Sequence, residues 1–444
     1  MNNLKRKVFC IALASTMALS LVACGNSDKK VQNTNNDKTT TEQSSKNEVK
    51  LEKGNWADEN YKALQTLIEN NGKNSKDYDE TKKPYAVFDW DNTTIINDVE
   101  EALLAYQLTN LEFKMTPEEF SSTIRTNIPK DNFKEKCNNK AGEAVNIESV
   151  GADIDSDYKF LYENYKGFKG DKSLDEIKNT LEYKDFIAKT RYLYASIGES
   201  FSSDVSYPWV TYLFAGMTQE EVAALTEKSN DYWLSHELGE ETWTSPEELK
   251  GNAGVVSVTF NTGLRTIKEQ QNLYKTLMAN GIDVYICSAS FIDVVTEFAT
   301  NPKYGYDIPK EKVYAMQLNR DDKGVIKAEF NKDYYQTQGK GKTQTIEKFL
   351  VENHGGKGPL IVGGDSSGDV AMLSDFDDTK FSLIVNRCKG DELGKLSKEA
   401  ADTIGKEDAR YYLQGRNENT GEFIPTQKSV FLGSQEEVLL KESK

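Results

Sequence analysis

The chain has 444 residues, 71 acids against 55 bases, and a formal net charge of −16. So acidic a surface argues against nucleic acid as a partner, because a phosphate backbone is held by lysine and arginine. It also disfavours any polyanion held by surface charge alone.

In chain order, Lys5-Arg6-Lys7 forms a basic n-region, and an almost unbroken apolar run follows from Val8 to Val22. The run is short for a transmembrane helix and has the form of a secretory signal. It ends in Leu21-Val22-Ala23-Cys24-Gly25, which resembles the lipobox of bacterial lipoproteins. That resemblance implies a leader over residues 1–23 and lipidation at Cys24. The protein would then be anchored at the extracytoplasmic face of the bacterial cell membrane without spanning it. Loss of Lys5, Arg6 and Lys7 with the leader takes the net charge of −16 to −19. Residues 24–52 are rich in Asn, Lys, Ser and Thr and read as a flexible tether. Roughly 390 globular residues follow, enough for one large domain or two at ~100–200 residues each. Beyond Cys24 they hold Cys137, Cys287 and Cys388, which give neither a disulfide framework nor zinc spacing. With only His236 and His354, a histidine metal cluster or a Ser-His-Asp triad is a poor fit.

Short apolar runs alternate with helical patterns, which predicts βαβ units and a parallel sheet. Strands are expected at 85–88, 283–287, 312–316, 360–362 and 381–385. A mostly helical insert fills 99–258, between the first two strands. Its helix starts include Thr116-Pro117-Glu118-Glu119 and the capping box Thr218-Gln219-Glu220-Glu221. The chain thus divides into a core start carrying the first motif (53–98), a helical cap (99–258) and the rest of an α/β core (259–444).

Four groups of reactive residues stand at strand ends or at the start of the next helix, where open α/β sheets place ligands. The first is Asp89-Trp90-Asp91-Asn92-Thr93, directly after Tyr85-Ala86-Val87-Phe88. The second is Ser288, within Ser288-Ala289-Ser290-Phe291. The third is Lys340 or Lys342, in Gly339-Lys340-Gly341-Lys342-Thr343; Lys342 is preferred because it opens the helix expected at 345–351. The fourth is Asp365 to Asp369, in Gly364-Asp365-Ser366-Ser367-Gly368-Asp369. Two carboxylates one residue apart repel each other unless a cation or a reaction uses them. A carboxylate can attack a phosphoryl group and form an aspartyl-phosphate, splitting one hard step into two. Mg²⁺ is a hard, oxygen-seeking ion that would cancel the repulsion, with Asp365 supplying a second carboxylate and Asp369 steadying the shell. Lys342 adds fixed positive charge, and Ser288 and backbone N–H groups bond the phosphoryl oxygens. Asp91 returns to the same side of an extended chain as Asp89 and can exchange a proton with the leaving oxygen and then with water.

Each motif alone is common in turns and helix caps; all four, in this order, resemble the haloacid dehalogenase superfamily of phosphohydrolases. The resemblance covers about residues 83–387. It implies a Rossmannoid core with strand order 5-4-1-2-3, and an aspartyl-phosphate mechanism with Asp89 as nucleophile. It also implies Mg²⁺ on Asp89, Asp365, the Asp91 backbone carbonyl and, directly or through its shell, Asp369. An insert after the first motif resembles the helical cap of phosphoserine phosphatase-like members. The chain departs from many members at Gly368, where they carry Asn. Asp91, absent from the dehalogenase branch, points to phosphate chemistry.

The cap entry carries Glu100-Glu101, and the cap holds Tyr207, Trp209, Tyr212, Trp233 and Trp243. Rings and carboxylates together suit a quaternary ammonium. The 97–101 run, Leu213-Phe214-Ala215-Gly216-Met217-Thr218 and Gly281-Ile282-Asp283-Val284 are similar to bacterial phosphorylcholine phosphatases. That resemblance implies that Glu100 and Glu101 hold a choline headgroup. The expected protein is a lipid-anchored, Mg²⁺-dependent phosphomonoesterase acting on phosphocholine or another small phosphomonoester. The alternatives are a phosphatase for phosphoserine or phosphoethanolamine, and a catalytically silent choline-binding lipoprotein.

Overall fold

A computed structural model describes residues 49–441; the leader, Cys24 and most of the tether lie outside them. Strands β1 (Tyr85–Phe88), β2 (Asp283–Phe291), β3 (Val313–Met316), β4 (Ile361–Gly364), β5 (Phe381–Val385) and β6 (Tyr411–Gln414) form one sheet. Its order is β6-β5-β4-β1-β2-β3 and every pairing is parallel. This is the Rossmann-like α/β class with the expected 5-4-1-2-3 order, extended at one edge by β6.

The strands are mostly apolar because both faces of the sheet are covered. Period-two alternation divides the side chains between the faces. Ala86, Phe88, Val284, Ile286, Phe381 and Leu383 join one buried cluster, and Tyr85, Val87, Tyr285, Cys287 and Ile384 another. The sequence does not announce β6, because Tyr411-Tyr412-Leu413 is a short run that ends in Gln414. The Gln414 amide is itself buried; it accepts from the Ala57 N–H and donates to the Asn55 and Ile424 carbonyls.

Between β1 and β2 the chain builds the cap from helices that include Val99–Asn110, Pro117–Ile124, Ile147–Asn164, Leu181–Ser200, Ser203–Thr211 and Gln219–Leu234. Thr218 closes the expected capping box, and Thr116, expected as a cap ahead of Pro117, closes one too. The cap has its own core, with Leu104, Phe120, Tyr158, Phe186 and Trp209 fully buried. It is not wholly helical: Gly239–Thr244 pairs antiparallel with Ser257–Thr262, a hairpin whose second strand runs across position 258. Among the described residues no helix is long and apolar enough to cross a membrane.

Candidate active site

The loop after β1 turns sharply. Asn92 and Asn97 both lie in the left-handed region, with φ of 59° and 67°, where asparagine costs less than most residues. The Asn92 N–H donates to the Asn97 carbonyl, closing the turn. Buried Arg416, from beyond β6, donates to the Asn92 carbonyl and side-chain oxygen. Asp89 is thereby fixed at the tip of β1, its own N–H donating to the Gly363 carbonyl of the neighbouring strand.

Around Asp89 three elements converge. Lys342 Nζ donates to Asp89 Oδ1 at 2.7 Å and to Asp369 Oδ1 at 2.6 Å. The expected choice between the two lysines resolves geometrically, because Lys340 is exposed and pairs with Asp375. The other Asp369 oxygen accepts from the Asp365 and Ser366 N–H groups and the Ser366 hydroxyl, so this carboxylate clamps the loop after β4. Gly364 permits that approach: a Cβ there would stand 2.4 Å from the Asp369 Cβ. Asp365 accepts from Thr93 Oγ1 at 3.0 Å and from Arg387 Nη1 at 2.7 Å.

Asp89, Asp365 and Asp369 each offer an oxygen, all within 4.8 Å of one another and all buried. Burial and then the Asp369 carboxylate push the Asp89 carboxyl well above its usual range, against the pull of Lys342. Burial opposes the Lys342 charge, but Asp369 and Asp89 hold the ammonium firmly protonated. An all-oxygen, over-acidic cluster fits a hard divalent cation of the Mg²⁺ type.

Asp91 accepts from the Val99 N–H and from Ser290 Oγ, both at 2.7 Å. Burial, then Asp98 and Asp89, raise its carboxyl, favouring the protonated form a proton donor needs. The expected Ser288 is fully buried in an irregular stretch of β2, and its Oγ accepts from the Ser290 N–H. It is Ser290, two residues on, that lines the cavity beside Asp91.

That cavity measures about 150 Å³ and is lined by Asp89, Asp91, Glu100, Lys342, Asp365 and Arg387, among others. Glu100 and Glu101 diverge, as neighbours on a helix must at 3.6 residues per turn. Buried Glu100 faces this cavity and accepts from the Phe291 N–H, and burial followed by Asp98 raises its carboxyl. Glu101 is turned aside into an ion pair with Arg191 at 2.9 Å. Of the cap aromatics, Tyr207 lines the cavity, whereas Trp209, Tyr212 and Trp233 are core, with the Trp209 and Trp233 indoles donating to the Ile124 and Ala102 carbonyls. Trp243 sits on the hairpin and donates to Glu241. Arg387, Tyr194 and Asp98 also line the cavity and are not singled out by the sequence. Arg387 carries the one usable signal, since it stands two residues past the end of β5.

No family model matches the chain. A conserved protein of unknown function from Anaerococcus prevotii is 39% identical, with 86% of this chain and 98% of that one covered at a TM-score of 0.81. The chain belongs to that protein's family. It is also similar to a phosphorylcholine phosphatase of Pseudomonas aeruginosa, 26% identical over 267 residues. The match takes in 59% of this chain and 54% of that protein, so the chain spans about half the length of this curated relative.

Proposed function

We propose that the chain is a phosphomonoesterase that works through an aspartyl-phosphate. The observation that carries the proposal is the Lys342 ammonium bridging Asp89 and Asp369 beside Asp365, with Asp91 held a short distance away by Ser290. In this reading an Asp89 oxygen attacks phosphorus and the bond to the leaving oxygen breaks. Asp91 delivers its proton to that oxygen, then accepts one from the water that cleaves the acyl phosphate, which releases phosphate and restores Asp89. Lys342 and the Ser290 region offset charge on the phosphoryl oxygens. Asp89 and Asp365 would hold Mg²⁺, with Asp369 bracing the loop; the ion would supply charge neutralisation at the phosphoryl oxygens. Arg387 fixes the Asp365 carboxylate in place.

Phosphocholine is the first substrate to test. Its support is the similarity to the Pseudomonas phosphorylcholine phosphatase and the Glu100 carboxylate, which lines the cavity with no cation paired to it among the described residues. Phosphoserine and phosphoethanolamine are the nearest alternatives, and a silent choline-binding protein is the reading from another class. Anchoring through Cys24 at the extracytoplasmic face belongs to the same proposal and rests on the sequence alone. The deciding experiment measures phosphate release from a panel of phosphomonoesters, with and without Mg²⁺, by wild type and Asp89→Asn. Turnover without Mg²⁺, or in folded Asp89→Asn, would overturn the mechanism. Binding of choline with no turnover of any ester would favour the silent protein.

A further inference from the structure

A second chamber of about 460 Å³ lies between helix Leu181–Ser200, helix Ser203–Thr211 and the cap hairpin. It shares Tyr194 and Tyr207 with the catalytic cavity, so the two spaces meet at these rings. At ~30 Å³ per water in the liquid, the inner space of about 150 Å³ equals about five waters. That suits a phosphoryl group and a few atoms more. The outer chamber equals about fifteen waters, and a choline headgroup would leave most of it unfilled.

Its walls define what it would take. Their charges are largely cancelled: Glu101 pairs with Arg191, and Glu199 with Lys136. Glu240 alone lacks a paired cation among the described residues, so an anionic leaving group finds nothing to neutralise it. Ser203, Ser206, Thr259 and Asn261 add hydroxyl and amide groups, too polar a surface for an apolar chain. Arg191 is buried and stacked 5.0 Å from the Tyr194 ring and 4.8 Å from the Phe260 ring. Its Nε is buried and has no hydrogen-bond partner, and the guanidinium is held at the chamber wall by its two ring contacts and by Glu101. Gly198 marks the same face of the helix. Glycine weakens a helix relative to alanine, yet a Cβ at 198 would meet nothing within 4 Å. Packing therefore does not demand glycine there; an added side chain would take up space at the chamber's edge.

We infer that the outer chamber is a leaving-group site for neutral, hydroxyl-rich skeletons larger than choline, so that sugar and polyol monophosphates are substrates. The inference rests on the phosphatase reading and extends it from small headgroups to a substrate class. The inner cavity would hold the phosphoryl group, and the skeleton would pass between Tyr194 and Tyr207 to present its hydroxyls to the outer walls.

The test compares kcat/KM for glucose 6-phosphate, sorbitol 6-phosphate and phosphoethanolamine in wild type, Gly198→Ala and Gly198→Trp, with circular dichroism on each. Wild type should turn over all three, and Gly198→Ala should match it. Gly198→Trp should lose at least about tenfold on the two large esters, mainly through KM, and stay within about twofold on phosphoethanolamine, the scale on which pocket shape discriminates. Wild type that takes phosphoethanolamine but rejects both large esters would overturn the inference, and that arm needs no variant to fold. So would an equal loss on all three esters in Gly198→Trp. No turnover of any ester would instead remove the phosphatase reading, and the leaving-group site with it.

Discussion

Lys342→Met removes the ammonium 2.7 Å from Asp89 and 2.6 Å from Asp369. All three side chains are at most 9% exposed, so water cannot take the place of the lost charge. At an effective dielectric of ~20, one unit pair at that separation is worth about 6 kcal/mol before desolvation is counted. Desolvation offsets much of this, and breaking a buried pair from one side costs ~3–5 kcal/mol net. Urea unfolding in metal-free buffer should therefore show Lys342→Met destabilised by about that amount. Two further arms locate the cause. Asp369→Asn combined with Lys342→Met removes one charge of each sign and should recover part of the loss, a coupling the double-mutant cycle reads directly. Adding Mg²⁺ should stabilise Lys342→Met more than wild type, since the ion would relieve the same repulsion. Phosphatase turnover should vanish in the single variant. A stability loss below about 1 kcal/mol without metal would refute the reasoning, because the carboxylates would then not depend on Lys342 for their charge balance.

Arg387→Ala should leave the fold intact but weaken Mg²⁺ activation by ~10–100-fold, since a residue that orients a metal-ligating carboxylate carries that much affinity; a titration of activity against Mg²⁺ measures it. Glu100→Gln should raise KM for phosphocholine about tenfold or more, the worth of ~1.4 kcal/mol, and change p-nitrophenyl phosphate little, whereas Glu101→Gln should do less because Arg191 already holds Glu101. Burial, then Asp185, raise the Asp157 carboxyl to about 9, so folded protein keeps a proton that the unfolded chain releases above its ordinary value of ~3.9. Stability should therefore fall as pH rises from about 4 towards 9, and Asp157→Asn should be more stable than wild type at pH 8, by an amount that shrinks at pH 5 in thermal unfolding. Cys24→Ala should move the protein from the membrane fraction to the soluble one on cell fractionation.

Much of the candidate site was legible because it depends on local rules. A residue at the C-terminal tip of a parallel strand faces the ligand crevice whatever the rest of the chain does, and Asp89, Asp91 and Asp365 obey that rule. Arg387 obeys it too and could have been found the same way. Ser290 could not, because the irregular stretch of β2 decides whether it or Ser288 meets the cavity, and a strand irregularity leaves no mark in an apolar run. The cap was harder. Trp209 and Tyr212 are as aromatic as Tyr194 and Tyr207, and only the packing of the bundle decides which rings turn inward. The divergence of Glu100 and Glu101, by contrast, follows from helical periodicity alone and needed no structure. Edge strand β6 stayed hidden because its buried Gln414 serves the Ala57 and Asn55 backbone, partners more than 350 residues away in the chain.

The Arg416 brace on Asn92 carries a consequence for the life of the chain. The two residues are 324 positions apart, so the guanidinium that steadies the loop after β1 is made long after the loop itself. Closing so long a loop is slow, since its entropy must be met before the contact forms. A growing chain holds Asp89 and Asp91 from early on, but without Arg416 the turn that carries them lacks its support. Asp89 and Asp91 are thus braced only once Arg416 has been made, after the cap and all six strands of the sheet.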